Sequence, residues 1–331
     1  MKRFELGQNH KDEVLEQFVP KGLSRAKLSQ QEIPALAKDR HKLADIEASL
    51  SALPTFHHFH LGNSVEVEFP PEESVHLVVT SPPYWTLKKY NNAKGQLGDE
   101  RDYEEFNRSL TAIWKKSYKS LVPGGRLVVV VGDVCLSRRQ NNGRHTVIPL
   151  HATIQESCRK IGYDNLAPII WHKIANAKFE AGGGSILGKP YEPNCVVKND
   201  VEFILMFRKS GGYRKPSDLE RRLSVISAEQ HSDWFQQIWT GVNGASTKGH
   251  PAPYPEKLAT RLIRMFSFVG DTVLDPFLGS GTTAVCAWKA GRNSIGIEVD
   301  KAYLKQSVAR FNKEASVLGA RPEVKIYGNL D

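Results

Sequence analysis

An α/β fold with a mostly parallel sheet covered by helices on both faces is predicted by three observations. Short apolar runs rich in β-branched residues, such as Val75–Thr80, Leu127–Val131 and Val201–Phe207, read as strands buried on both sides. They alternate with stretches of helical apolar spacing, of which Tyr103–Leu121 and Tyr254–Phe266 are the clearest. Near the C-terminus, VLDPFLGSGTTAVCAW (Val273–Trp288) passes from a strand through a glycine-rich turn into a helix.

Taken in chain order, residues 1–55 are polar, charged and helical in pattern. QQEIPALAKDRHKLADIEASLSAL carries apolar residues at helical spacing and ends before Pro54. The character changes at Phe56. The strand Val75–Thr80 leads to the helix Tyr103–Leu121, and the strand Leu127–Val131 follows a Pro-Gly-Gly turn. A helix over Val147–Ile161 and strands over Ala167–Trp171 and Val201–Phe207 come next. From Ser210 to Gly249 the pattern dissolves into Gly, Ser, Lys, Arg and scattered aromatics. Regularity returns with the helix Tyr254–Phe266, the strand Thr272–Leu274, the helix Thr282–Lys289, the strand Ser294–Ile297 and a last helix. Two α/β blocks therefore flank an irregular insert.

The 331 residues suffice for one large α/β domain with an insertion, or two modest domains. No apolar run has transmembrane length and no signal-peptide core follows Met1, which predicts a cytoplasmic protein with no membrane partner. Cys135, Cys158, Cys195 and Cys286 are widely spaced, which favours reduced thiols over a disulfide framework or zinc site. FHHFH (Phe56–His60) lacks partnering Cys or carboxylates at ligand spacing, so it reads as strand histidines or a surface patch, and no metal is expected. Net charge is +9, and Lys115–Arg144 holds seven Lys or Arg against the single acid Asp133. Its polar stretch SRRQNNGR, with Arg138, Arg139 and Arg144, reads either as a solvated loop or as a phosphate contact.

Two motifs carry chemistry. In the first, TSPPYW (Thr80–Trp85), a buried strand ends on a rigid corner, because proline fixes φ and removes a backbone donor. In the second, Gly279 and Gly281 let the backbone turn sharply before a helix whose first N–H groups are unpaired. A phosphate-binding loop needs Gly-Lys-Ser/Thr, but Thr282 follows Gly281 with no lysine; the dinucleotide pattern G-x-G-x-x-G fails at Ala284. Asp275 suits a cationic group, and Glu298, at the end of the next strand, stands where a carboxylate accepts from ribose hydroxyls. S-adenosylmethionine has an ammonium, a sulfonium and a ribose and fits both acids; a tight turn without a ligand is the competing reading.

With both motifs in hand, the sequence resembles the site-specific amino-methyltransferases of DNA. The likeness covers residues 56–331 and runs through GNSVEVEFPPEESVHLVVTSPPYW, LVPGGRLVVVVGD, IIWHK, HPAPYPEKLATRLI, DTVLDPFLGSGTT and NSIGIEVDKAY in family order. A catalytic motif ahead of the cofactor loop is the permuted order of the beta class. The resemblance implies a Rossmann-like, mostly parallel seven-stranded sheet with one antiparallel strand. It also implies a catalytic half at 56–209, a target-recognition insert at 210–249 that extends back to 173 in its widest form, and a cofactor-binding half at 250–331; residues 1–55, outside the likeness, read from their own pattern as a helical accessory segment (a cap, dimer element or DNA-contacting arm).

Carried over by position, Asp275, Pro276, Phe277, Gly279, Ser280, Gly281 and Thr282 look like the cofactor loop and Glu298 like the ribose-binding acid. His250, Pro251 and Lys257 fall in the segment near the methionine part of the cofactor. Asn63 stands where the family commonly has Asp after Gly, which puts that one contact in doubt. Ser81, Pro82, Pro83 and Tyr84 are the catalytic corner, with Trp85 and Lys88 beside it as expected DNA contacts.

An exocyclic amino nitrogen is a poor nucleophile because its lone pair is delocalised. The resemblance implies that Ser81 Oγ and the Pro82 carbonyl accept its N–H groups and draw it toward tetrahedral geometry. The target base must be extruded from duplex DNA, at a cost of a few kcal/mol. Stacking on Tyr84 offsets roughly 1–3 kcal/mol of that cost. Within the family, Ser at the first position goes most often with N4-cytosine, and Asp or Asn with N6-adenine. The expected setting is restriction–modification, with a separate endonuclease. The rival readings are an N6-adenine enzyme, an RNA or protein amino-methyltransferase, and a silent DNA-binding protein on the same scaffold.

Overall fold

The structure, a computed structural model, describes residues 8–23, 27–85, 93, 95–136, 141–173, 197, 199–244, 254–318 and 321–330. Its strands are β1 (Phe56–Leu61), β2 (Val75–Thr80), β3 (Leu121–Val131), β4 (Val134–Leu136), β5 (Thr146–Ile148), β6 (Tyr163–His172), β7 (Val201–Lys209), β8 (Ile238–Trp239), β9 (Thr272–Asp275), β10 (Asn293–Glu298) and β11 (Glu323–Tyr327). Nine of them form one sheet in the order β11-β1-β10-β9-β2-β3-β7-β6-β8. Every pairing in it is parallel except the two made by β7, which runs against β3 and β6.

The two-residue period of the strands sorts the core. On β3, Leu127, Val129 and Val131 pack with Phe106, Leu110 and Trp114 of the helix Tyr103–Ser120 on one face. Val128 and Val130 pack on the other face, with Leu258 and Leu262 of the helix Glu256–Phe266. The sheet has nine strands where seven were expected. The additions are its two edges: β8 is two residues long, too short for any periodicity, and β11 lies beyond the last helix with mostly exposed side chains.

Two further expectations are corrected. Thr146–Ile148 pairs antiparallel with β4, and the helix expected from Val147 begins at Leu150, after Pro149. The region from Ser210 contains the helices Asp218–Leu223 and Ala228–Trp234, each begun by a capping box, Ser217 with Glu220 and Ser227 with Gln230.

The N-terminal helices, Gln8–Glu16, Glu32–Leu36 and Arg40–Leu50, share a core with Leu219, Leu223, Val225 and Val269. Buried Arg222 donates to Glu32 at 2.5 and 2.9 Å, and Arg264 pairs with Glu47 at 2.6 Å. Arg214 pairs with Asp271, at the start of β9. This cap therefore covers the amino edge of the sheet. His57 of β1 is buried between Ser294 Oγ and Thr55 Oγ1, at 2.8 and 2.9 Å, and burial pushes its ring down to about 3. Cys135, Cys158 and Cys286 are free thiols, and Cys195 lies outside the described residues. No helix among the described residues is long and apolar enough to cross a membrane.

Candidate active site

Because β1, β10, β9, β2 and β3 are parallel, Leu61, Glu298, Asp275, Thr80 and Val131 all end at one edge, opposite the helical cap. The Ser-Pro-Pro-Tyr corner leaves β2 there. Thr80 Oγ1 donates to Asp275 Oδ1 at 2.7 Å, Thr283 Oγ1 donates to Oδ2 at 2.5 Å, and the Phe277 N–H donates to Oδ1 at 3.0 Å. Asp275 is 1% exposed, and burial pushes its carboxyl up to about 6 against the lowering effect of these donors. It ties the corner to the glycine loop and is not among the residues lining the cavity described below. Thr80→Val should leave one buried carboxylate oxygen short of a donor. A loss of about 1–3 kcal/mol, read as a lower melting temperature, is the expected result.

Gly279 and Gly281 have φ of 54° and 78°, in the left-handed region that favours glycine. Gly281 caps the helix Thr282–Lys289, and a Cβ there would lie 2.7 Å from Ser307 Cβ. The Gly279 N–H donates to Glu298 Oε2 and the Asp300 N–H to Oε1, both at 2.8 Å. Burial pushes the Glu298 carboxyl up to about 7. Each oxygen has a further lone pair, and Glu298 faces the cavity.

That cavity is open to solvent, and its empty space together with the adjoining solvent is about 740 Å³. Its walls bring together Ser81 and Pro83 of the corner with Asn63 and Glu298. Pro276, Phe277, Gly279, Ser280 and Thr282 of the loop join them, whereas Gly281, like Asp275, does not line the wall. Pro82 is buried, and the Tyr84 hydroxyl turns from the cavity toward Glu202 of β7. Lys257 is exposed and donates to the Gly241 carbonyl at 2.9 Å. Trp85 packs edge-on against Tyr103, with ring centroids 5.2 Å apart. Its φ of 44° is strained for an aromatic residue, and its indole N–H is buried with no partner among the described residues. Arg144 is exposed on the hairpin between β4 and β5, which leaves β3 at the same edge as Ser81. Lys88, Arg138, Arg139, His250 and Pro251 lie outside the described residues.

Sequence reasoning missed Gln96, Tyr254 and Tyr303 on these walls. Tyr254 stands in HPAPYPEK between the expected contacts Pro251 and Lys257, and it bonds Thr283. Gln96 is the most informative: its Oε1 is sealed from solvent with no hydrogen-bond partner among the described residues, although the residue lines the cavity. A buried orphan acceptor is rare enough to need an explanation, and a donor on a bound ligand provides one.

Residues 75–309 match the family described as DNA methylase. The chain is 37% identical over 279 residues to the Type II methyltransferase M.MjaI of Methanocaldococcus jannaschii, covering 76% of this chain and 89% of that protein. It is 33% identical over 283 residues to the Type II methyltransferase M.MthZI of Methanothermobacter thermautotrophicus, covering 79% and 78%. Among solved structures, a protein of Thermus thermophilus described as a putative DNA modification methylase, solved with S-adenosyl-L-methionine, is 47% identical. The two folds superpose with a TM-score of 0.67, over 82% of this chain and 99% of that one.

Proposed function

From the premise that this chain belongs to the N6/N4 DNA methylase family, we propose that it methylates the exocyclic N4 of cytosine in a short duplex target, using S-adenosylmethionine. The observation that carries this reading is one cavity walled by both Ser81 and Glu298, the proposed acceptor for the amino group and the proposed ribose acid. When bound, S-adenosylmethionine supplies an electrophilic methyl group on a sulfonium.

The chain's own residues fit that cofactor. Glu298 has lone pairs free for ribose hydroxyls, the Gln96 Oε1 lacks a donor among the described residues, and Phe277, Leu278 and Ile297 provide apolar wall for a flat ring. Ser81 Oγ and the Pro82 carbonyl accept the N–H groups of the extruded base, and the prolines hold both acceptors still. Tyr84 forms the platform under that base. Serine at position 81 favours cytosine over adenine, and the catalytic corner lying ahead of the cofactor loop favours the beta class.

Target recognition is assigned to the parts of the 173–249 region that reach the carboxyl edge. Lys173 and Asp200, which bond at 3.0 Å, stand at that edge at the ends of β6 and β7, and Gly241–Gly244 follow β8. Residues 214–225 pack with the N-terminal cap at the opposite edge. The Type II names of the relatives support restriction–modification, with an endonuclease acting separately.

Mass spectrometry of nucleosides from DNA of cells expressing the chain tests the reading. N4-methylcytosine is expected. N6-methyladenine would overturn the choice of base, and absence of any methylated base would overturn the activity. Sequencing the modified positions then gives the target.

Cofactor affinity should also depend on pH. Below about 7 the Glu298 carboxyl gains a proton on an oxygen needed as an acceptor. Affinity measured by calorimetry should fall by up to about tenfold per unit below that point. Glu298→Gln should bind more weakly and without this dependence. The effect on stability has the opposite sense: burial favours the neutral acid, so this group destabilises the fold as pH rises from 4.5 toward about 7.

A further inference from the structure

Ser81 is linked to three residues that the proposed chemistry leaves unused or half used. Its Oγ lies 3.4 Å from the Tyr84 hydroxyl, which donates to Glu202 Oε2 at 3.0 Å. Lys173 Nζ donates to Glu202 Oε1 at 2.6 Å. Glu202 is 8% exposed on β7, so the chain of contacts joins the corner after β2 to the ends of β6 and β7. Gly132 leaves room for it: a Cβ there would sit 3.3 Å from both Glu202 Cγ and Tyr84 Cε2.

The direction of these hydrogen bonds matters. A hydroxyl both donates and accepts, so serine alone does not tell an amino group from a carbonyl. An ionised carboxylate only accepts, and here it is paired with Lys173. The single hydroxyl proton of Tyr84 is given to Glu202, so toward Ser81 the phenol offers lone pairs. The Ser81 proton then points at Tyr84, and the lone pairs of Oγ are left for the substrate.

We propose that Glu202 is a positioning residue that fixes the polarity of the Lys173–Glu202–Tyr84–Ser81 chain, so that the site accepts from an amino group and rejects a carbonyl at the same position. This rests on the reading that Ser81 meets the target base. Glu202→Gln should reverse the chain. Lys173 is a donor only, so the carboxamide oxygen of that protein turns to Lys173 and its NH₂ to Tyr84. The phenol then donates to Ser81, whose proton faces the substrate.

The test uses duplexes carrying the target sequence with its methylated base intact, or with the amino group replaced by a carbonyl (uracil for cytosine, hypoxanthine for adenine). Methyl transfer and duplex binding are measured for the wild type, Glu202→Gln and Tyr84→Phe, with cofactor affinity and melting temperature alongside. Comparing each variant's amino-to-carbonyl binding ratio with the wild-type ratio cancels the different costs of extruding the two bases. Glu202→Gln should lower kcat and shift that ratio toward the carbonyl base by on the order of tenfold, with cofactor affinity unchanged. A merely structural role would weaken both duplexes alike, and a folded variant with an unchanged ratio overturns the proposal. Tyr84→Phe removes the middle of the chain without touching the ion pair, and should also shift the ratio toward the carbonyl base relative to the wild type. An unchanged ratio there overturns the proposal even where Glu202→Gln does not fold. If the wild type transfers no methyl group to DNA, the activity reading fails instead.

Discussion

Ser81→Ala should lower kcat for methyl transfer to duplex DNA by about 10²–10³-fold, the usual loss when one preorganised polar contact to the reacting group is removed. Cofactor affinity in the same protein should stay within about threefold of wild type, less than 1 kcal/mol. The separation follows from where the side chain stands. Ser81 is on the catalytic wall, whereas the backbone of the glycine loop is held by Glu298 and Asp275. Thr80, the neighbour of Ser81, keeps its bond to Asp275 in the variant, so the strand exit stays in register. Single-turnover rates and calorimetry give the two quantities, and a melting curve shows that the protein is folded. Equal loss of transfer and cofactor binding in a folded variant would show that Ser81 is not the acceptor for the amino group.

How much of this was legible in the sequence depended on whether a feature is local. The end of β2 at Thr80 and the helix start at Thr282 follow from short-range rules: a proline pair stops a strand, and glycine is among the residues tolerated at a helix N-cap. Even the helices hidden in the irregular insert left local marks, Ser217-x-x-Glu220 and Ser227-x-x-Gln230, in a stretch of otherwise polar character. Partnerships across the sheet left none. Asp275 reads as a ligand carboxylate at the end of its strand, yet its oxygens are engaged by Thr80, 195 positions away, and by Thr283. Glu202 is one acid in VEFILMF; its period shows which face it takes, but not that Tyr84 waits there. Gln96 and Tyr254 belong to the same class, because a cavity wall is assembled by topology from segments that carry no mark of each other.

Gly279→Val should weaken S-adenosylmethionine binding by on the order of 100-fold or more, about 2.7 kcal/mol, in calorimetric titration. Gly279 has φ of 54°, which costs an L-residue about 1–2 kcal/mol and a β-branched one more. It also lines the cavity, so the valine methyl groups would take space as well as move the backbone. The N–H of Gly279 holds Glu298 Oε2 at 2.8 Å, and a shifted peptide releases the acid whose free lone pairs face the ligand. Gly281 separates backbone conformation from ligand contact. Its φ is also positive, but it is absent from the cavity wall, and its missing Cβ would strike Ser307. Gly281→Ala is therefore expected to lower the melting temperature more than it lowers affinity, with the reverse order for position 279. Wild-type affinity in a folded Gly279→Val protein would remove the glycine loop from the cofactor site.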